Sequence, residues 1–263
     1  MERDAHHHEH GHDVGERLYI HRHSPLHDLP PHIKIVSLFS FLVIVVATPI
    51  QHYWAFAIYF SIIGVLLKLS KLPVLTALKR ATIEFPFLFF AILMPFLSSG
   101  DQVEFSFLSL SKPGLIAALS IVAKGTLGVF TAILLSGTTQ AREILRGFEL
   151  LRMPSLIIQI MTFMLRYMNV ITNELERMKV ARSSRGFMEK GIRDWKFIAG
   201  TAGALFIRSY ERGERVHTSM LSRGYEGELP KSVSPVITNQ NRILSLSIPL
   251  AALITHLGSK VLL

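Results

Sequence analysis

The feature that most restricts this chain is a series of five apolar runs, Ile33–Ala47, His52–Leu67, Ile83–Leu97, Leu115–Leu135 and Ile243–Leu257, separated by basic or turn-forming stretches. A helix needs about 20 mostly apolar residues to cross about 30 Å of hydrocarbon. Several runs are shorter and must recruit flanking Ser, Thr, Gly and Pro, so the number of spans is better defined than their edges. Composition agrees: charged residues make up 18%, against about 25% in an ordinary soluble domain. The net charge of +9 does not point to nucleic acid, because the basic residues lie between apolar runs and not in a stripe interleaved with aromatics. The absence of cysteine excludes a disulfide scaffold, a Cys-ligated zinc site and thiol catalysis. The expected class is an all-α polytopic membrane protein with five spans, six to eight being allowed, and about five to eight helical segments.

Lysine and arginine in the short loops set the orientation. Lys68, Lys71, Lys79 and Arg80 follow the second run, whereas Asp101, Glu104 and the single basic Lys112 follow the third. The first of these loops is expected in the cytoplasm and the second outside, with the N-terminus inside a prokaryotic cell (inner) membrane. Residues 1–32 form a His-rich polar tail without the apolar region of a signal peptide. Residues 33–138 hold the first four spans, 139–242 a cytoplasmic domain, and 243–263 a last transmembrane helix. Within 139–242, Ser155–Thr172 and Phe197–Ile207 are apolar enough to touch lipid, as re-entrant or amphipathic helices at the membrane face.

That cytoplasmic segment contains a repeat. Glu176-Arg177-Met178 precedes Ser184-Arg185-Gly186-Phe187, and Glu214-Arg215-Val216 precedes Ser222-Arg223-Gly224-Tyr225, with an offset of 38 residues at every position. Charged, helix-favouring residues lead into each motif, and glycine supplies the left-handed conformation that closes a helix. Each arginine then sits at an exposed tip with a planar fork of donors suited to carboxylates or carbonyls. The following aromatic offers an apolar anchor, or packs locally. Two equal tips imply two equal receptors on a partner. The simpler alternative is that each arginine only complements the helix C-terminal dipole.

With these residues in view, the chain resembles the transmembrane T component of energy-coupling-factor (ECF) transporters, cobalt branch, called CbiQ. The resemblance is carried by Ser24-Pro25-Leu26-His27, Thr138-Thr139, Leu150-Leu151-Arg152-Met153-Pro154, Arg166-Tyr167, Glu174 and Arg208-Ser209-Tyr210-Glu211-Arg212-Gly213-Glu214-Arg215. It covers most of the chain from about Ser24 and is strongest over Gly147–Gly227. It implies that 139–242 is a coupling domain whose two arginine-bearing helices enter grooves of two ATPase subunits (CbiO-like). The family signature is Ala-Arg-Gly or Ala-Arg-Ser; by position the coupling residues here are Ser184, Arg185 and Gly186 with Ser222, Arg223 and Gly224. Ala181-Arg182-Ser183 is a rival register, which keeps Arg182 as a second choice. Further implied partners are a substrate-binding membrane subunit (CbiM-like) and, as an optional part, a small accessory membrane subunit.

No Gly-Lys-Ser or Gly-Lys-Thr occurs, and Lys124-Gly125-Thr126 has the wrong order for a phosphate-cradling loop. The chain is therefore expected to hold no cofactor, ATP being bound by the partner ATPases, and to be a coupler without catalytic residues. The tail holds nine of the chain's 12 histidines, and His6, His7, His8, His10 and His12 are the candidate metal ligands, since imidazole suits Ni, Co, Cu and Zn. The alternative is a flexible polar leader. Lys124 is either functional within the membrane or snorkels to an interface from a span that starts later; Glu84 reads as interfacial. The expected function is ATP-driven cobalt import, with nickel or, further off, vitamin uptake as variants. A membrane-bound metal-dependent enzyme is the alternative of a different class.

Overall fold

A computed structural model describes residues 19–20, 24–98, 102–105, 108–186, 195–228 and 239–261. The helices are α1 (Pro31–Ala47), α2 (Tyr53–Leu69), α3 (Val74–Arg80), α4 (Phe85–Leu97), α5 (Lys112–Thr138), α6 (Ala141–Leu150), α7 (Ser155–Ser183), α8 (Trp195–Leu221) and α9 (Asn239–Val261). The 3₁₀ turn Ala81–Glu84 joins α3 to α4. The protein is an all-α membrane protein. Among the described residues the one departure is a hairpin of β1 (Gln102–Phe105) and β2 (Leu108–Ser111) between α4 and α5, in antiparallel register from Gln102 opposite Ser111 to Phe105 opposite Leu108. Sequence reading left that loop unassigned, although Val103 and Phe105 alternate with polar neighbours as a strand does.

Local chemistry sets the helix ends. Pro31 opens α1, where a missing N–H is harmless. Pro49 forces Thr48 into extended backbone (ψ 126°) and stops α1. Three helical stretches are long and apolar enough to cross a bilayer: Thr76–Leu97, Lys112–Thr138 and Ser155–Ser183. The first joins α3, the turn and α4, so the apolar run beginning at Ile83 is only its later part. At 17 residues each, α1 and α2 are shorter, about 25 Å long at 1.5 Å per residue.

The chain divides into two compact units. One comprises Leu18–Leu150 and Ser234–Leu263. Here α1 packs on α9, α6 and α5, while α2 contacts α5 and α9, and α4 runs along α5. The core holds Leu38, Phe41, Val45, Phe56, Tyr59, Ile63, Leu127 and Leu134. Val36, Phe39, Val43 and Val46 form an exposed stripe on α1, and Phe85, Phe87, Phe89, Phe90 and Phe96 leave α4 largely uncovered; in a membrane protein such faces meet lipid.

Between lipid-immersed helices there is little hydrophobic driving force, so close packing and polar bonds decide which faces meet. Ser37 Oγ donates to Ser245 O at 2.6 Å. Thr48 Oγ1 donates to Ile44 O at 2.8 Å and so accepts from Tyr59 OH at 3.0 Å and from His256 Nδ1–H at 2.9 Å. These bonds tie α9 to α1 and α2. Lys34 Nζ, buried, donates to Thr138 O at 3.1 Å and Thr139 Oγ1 at 2.9 Å, closing the C-terminus of α5. Lys124 does not lie at the start of a late span: it is midway along α5, and its ammonium donates to Val46 O at 2.7 Å in the last turn of α1. Glu84 is buried and accepts from Thr126 Oγ1 at 2.6 Å, a tighter environment than the interface expected for it.

The other unit, over Leu151–Val233, is built on α7 and α8. Arg208 of α8 pairs with Glu174 of α7. Beyond the end of α8, Tyr225 OH donates to Gln159 Oε1 at 2.6 Å, and Gln159 Nε2 donates to Gly227 O at 2.8 Å. Numbers fall along α7 as they rise along α8, so the two helices are antiparallel.

Candidate functional site: two arginine-tipped helix ends

The repeat seen in the sequence ends both helices of this pair. α7 stops at Ser183 and α8 at Leu221, the same offset as the motifs. Ser184 N–H donates to Val180 O, Arg185 N–H to Arg182 O and Gly186 N–H to Ser183 O, each at 3.0 Å. At the second tip Ser222 N–H donates to Thr218 O, Arg223 N–H to Met220 O and Gly224 N–H to Leu221 O, again at 3.0 Å. Gly186 and Gly224 take φ values of 77° and 82°, the left-handed region where a Cβ is strained. At the second tip Tyr225 N–H also reaches Met220 O at 3.0 Å. Together with the Gly224 bond this makes a Schellman cap.

Where the family signature has alanine, both serines turn their hydroxyls onto the carbonyl four residues back. Ser184 Oγ donates to Val180 O and Ser222 Oγ to Thr218 O, both at 3.0 Å. Each hydroxyl is thereby satisfied within its own helix and leaves the tip surface to the arginine. Arg185 and Arg223 are exposed, and among the described residues neither guanidinium has a hydrogen-bond or ion-pair partner. Arg182 differs: it is half-buried in the last turn of α7, and its carbonyl accepts the Arg185 N–H. By backbone bonding, Arg185 is the counterpart of Arg223.

The antiparallel pairing separates the tips. Tyr225 touches Gln159 in the second turn of α7, and Ser184 follows about 25 residues later on that helix. At 1.5 Å per residue the two ends stand about 37 Å apart. Gln159, buried in the second turn of α7, positions the segment after α8 through Tyr225 and Gly227, a role that sequence reading missed; a lone polar residue in an apolar stretch, Ser-Leu-Ile-Ile-Gln-Ile, was the available signal. The aromatic after glycine in the second motif is occupied locally: Tyr225 bonds Gln159 and meets His217 edge-on at 6.2 Å. Phe187 of the first motif lies outside the described residues, as do His6, His7, His8, His10 and His12 of the tail. His27 is described. Its Nε2–H donates to Ile20 O at 3.1 Å, and its Nδ1 accepts from Ser24 Oγ at 2.7 Å, so Ser24-Pro25-Leu26-His27 folds as one locked turn.

A family described as cobalt transport protein, CbiQ, matches residues 22–234. The chain belongs to the CbiQ family. It is thus a transmembrane T component of ECF transporters, a membrane protein that works with membrane-associated partners in a transporter complex. An uncharacterised protein of Methanocaldococcus jannaschii is 32% identical over 78% of this chain and 72% of its own length. Energy-coupling factor transporter transmembrane protein EcfT of Staphylococcus aureus is 26% identical over 82% of this chain and 87% of its own. The EcfT of Lactococcus lactis is 26% identical over 92% and 97%. The matched region of this CbiQ chain takes in both arginine tips and the turn locked by His27.

Proposed function

We propose that this CbiQ-type chain is the coupling subunit of an ATP-driven cobalt importer, with the N-terminus, α7 and α8 on the cytoplasmic side. The observation that carries this reading is the pair of tips: two helix ends that share three equivalent backbone bonds, about 37 Å apart by helix rise, each presenting an exposed arginine without a side-chain partner among the described residues. Two such ends suit two like grooves, one on each ATPase subunit of a pair. The arginine fork matches carboxylates and backbone carbonyls at the groove wall. ATP, bound by the ATPases, draws the grooves together. The tips follow, and the rigid rods behind them transmit the motion to a separate substrate-binding membrane subunit. Cobalt is preferred over nickel because of the family description, and the His-rich tail serves as an accessory metal contact inside the cell.

The test is copurification of the wild type and an Arg185→Glu/Arg223→Glu variant, each expressed with the neighbouring ATPase and membrane subunits. The wild type is expected to bring down the ATPase and the variant to lose it while still inserting. Equal recovery of ATPase by both would refute the docking role. Uptake of radioactive cobalt against nickel by the intact assembly then decides the cargo.

A further inference from the structure

α7 and α8 enclose a cleft of about 440 Å³ lined by Phe163, Arg166, Tyr167, Arg212, Arg215, Val216, Ser219, Met220 and Arg223. Four of these lining residues are arginines. Among the described residues, the acid nearest to any of them is Glu211, 4.0 Å from Arg215. Four cations around one space repel each other unless an anion joins them.

This concentration of charge is not a by-product of the repeat. Moving Arg166, Arg212, Arg215 and Arg223 by the 38-residue offset lands on Ala204, Glu174, Arg177 and Arg185. The equivalent end of the pair therefore has two arginines and one carboxylate, and that carboxylate is already paired with Arg208. Only one of two similar ends carries the basic cleft.

The walls say what kind of anion fits. Phe163 and Tyr167 stack with centroids 6.4 Å apart and, with Val216 and Met220, make the rest of the lining apolar except for Ser219. The neighbouring surface of α7 exposes Leu156, Ile157, Ile160 and Met164, on a helix apolar enough to enter a bilayer. A soluble phosphate or an acidic protein patch would answer the charge and leave this apolar surface uncovered. A lipid answers both, and basic pockets between membrane helices are suited to anionic headgroups.

We propose that this cleft binds the phosphate of an anionic phospholipid, with the acyl chains lying along the N-terminal half of α7. Arg223 belongs both to this lining and to the second tip, so the variants that test the lipid leave it in place; the site itself rests on the chain being a membrane protein. The full-length protein in neutral detergent would be titrated with phosphatidylglycerol and with phosphatidylcholine of equal chain length, and bound lipid read by native mass spectrometry. The wild type is expected to prefer phosphatidylglycerol by about tenfold. Arg166→Gln/Arg212→Gln should bring the two lipids to parity, and Arg166→Lys/Arg212→Lys, which keeps the charge, should retain most of the preference. If the glutamine pair does not fold, the lysine pair and Arg166→Gln alone are compared in its place. No preference in the wild type, or an unchanged preference in the neutral variants, would overturn the proposal. Displacement of the lipid by millimolar inorganic phosphate would assign the cleft to a soluble anion. Loss of the ATPase with lipid preference intact would assign it to a protein surface; either result also overturns it.

Discussion

Replacing Lys34 by methionine tests how the membrane unit is held together. The ammonium is buried and donates to two groups at the end of α5, Thr138 O and Thr139 Oγ1. The last carbonyls of a helix have no partner within it, so the lysine both closes α5 and complements its dipole. Methionine fills similar volume. It removes the two bonds and the Coulombic attraction of Glu143 and Asp28 for the ammonium, and also the burden of burying that charge. What remains is an orphaned carbonyl, which costs about 1–3 kcal/mol, since the Thr139 hydroxyl can turn elsewhere. The expected loss is about 2 kcal/mol, or about 30-fold in the folded-to-unfolded ratio. Reversible unfolding of the reconstituted protein in denaturant would measure it. Thr139→Val should cost less, about 1 kcal/mol, because the bond to Thr138 O survives. An Lys34→Met variant as stable as wild type would refute the reasoning, showing that relief of ammonium burial offsets the orphaned carbonyl.

Three other outcomes are expected. Gly224→Ala and Gly186→Ala meet open space but hold positive φ, so each should lose about 1–2 kcal/mol locally and speed amide exchange at its own tip without altering the other. Gln159→Leu removes both bonds that seat Tyr225 and Gly227; the segment after α8 should become a preferred site of limited proteolysis, and unchanged protection would show that those bonds do not hold it. Gly147→Val would place a Cβ 2.8 Å from Ile35 Cδ1 and 3.1 Å from the His32 backbone nitrogen. Because backbone cannot yield cheaply, a loss of about 1–3 kcal/mol is expected, read as a lower melting temperature in detergent.

Much was legible without coordinates. Apolar runs mark membrane helices because a bilayer rewards composition over a length of about 20 residues, and composition is a local property. The helix ends at Gly186 and Gly224 were equally readable, since a left-handed cap is a local requirement of the backbone. The edges of the spans were not. Ser37 and Ser245 look like breaks in apolar runs, and Thr138 and Ser259 fall beyond the ends of theirs, yet all four are buried and lie within α1, α5 and α9. Nor did the strand signal at Val103 and Phe105 stand out beside so much apolar sequence.

By itself the amino-acid order determined the class of fold, the duplicated tips and the arginine at each. Tertiary structure alone decided that Lys34 and Lys124 cap other helices. It decided too that the tips lie at opposite ends of an antiparallel pair, and that four arginines meet in one cleft. The physical reason is the same throughout. Periodicity and capping are written within a few turns of chain, whereas Lys34 finds Thr138, and Arg166 finds Arg212, only after helices distant in sequence have packed.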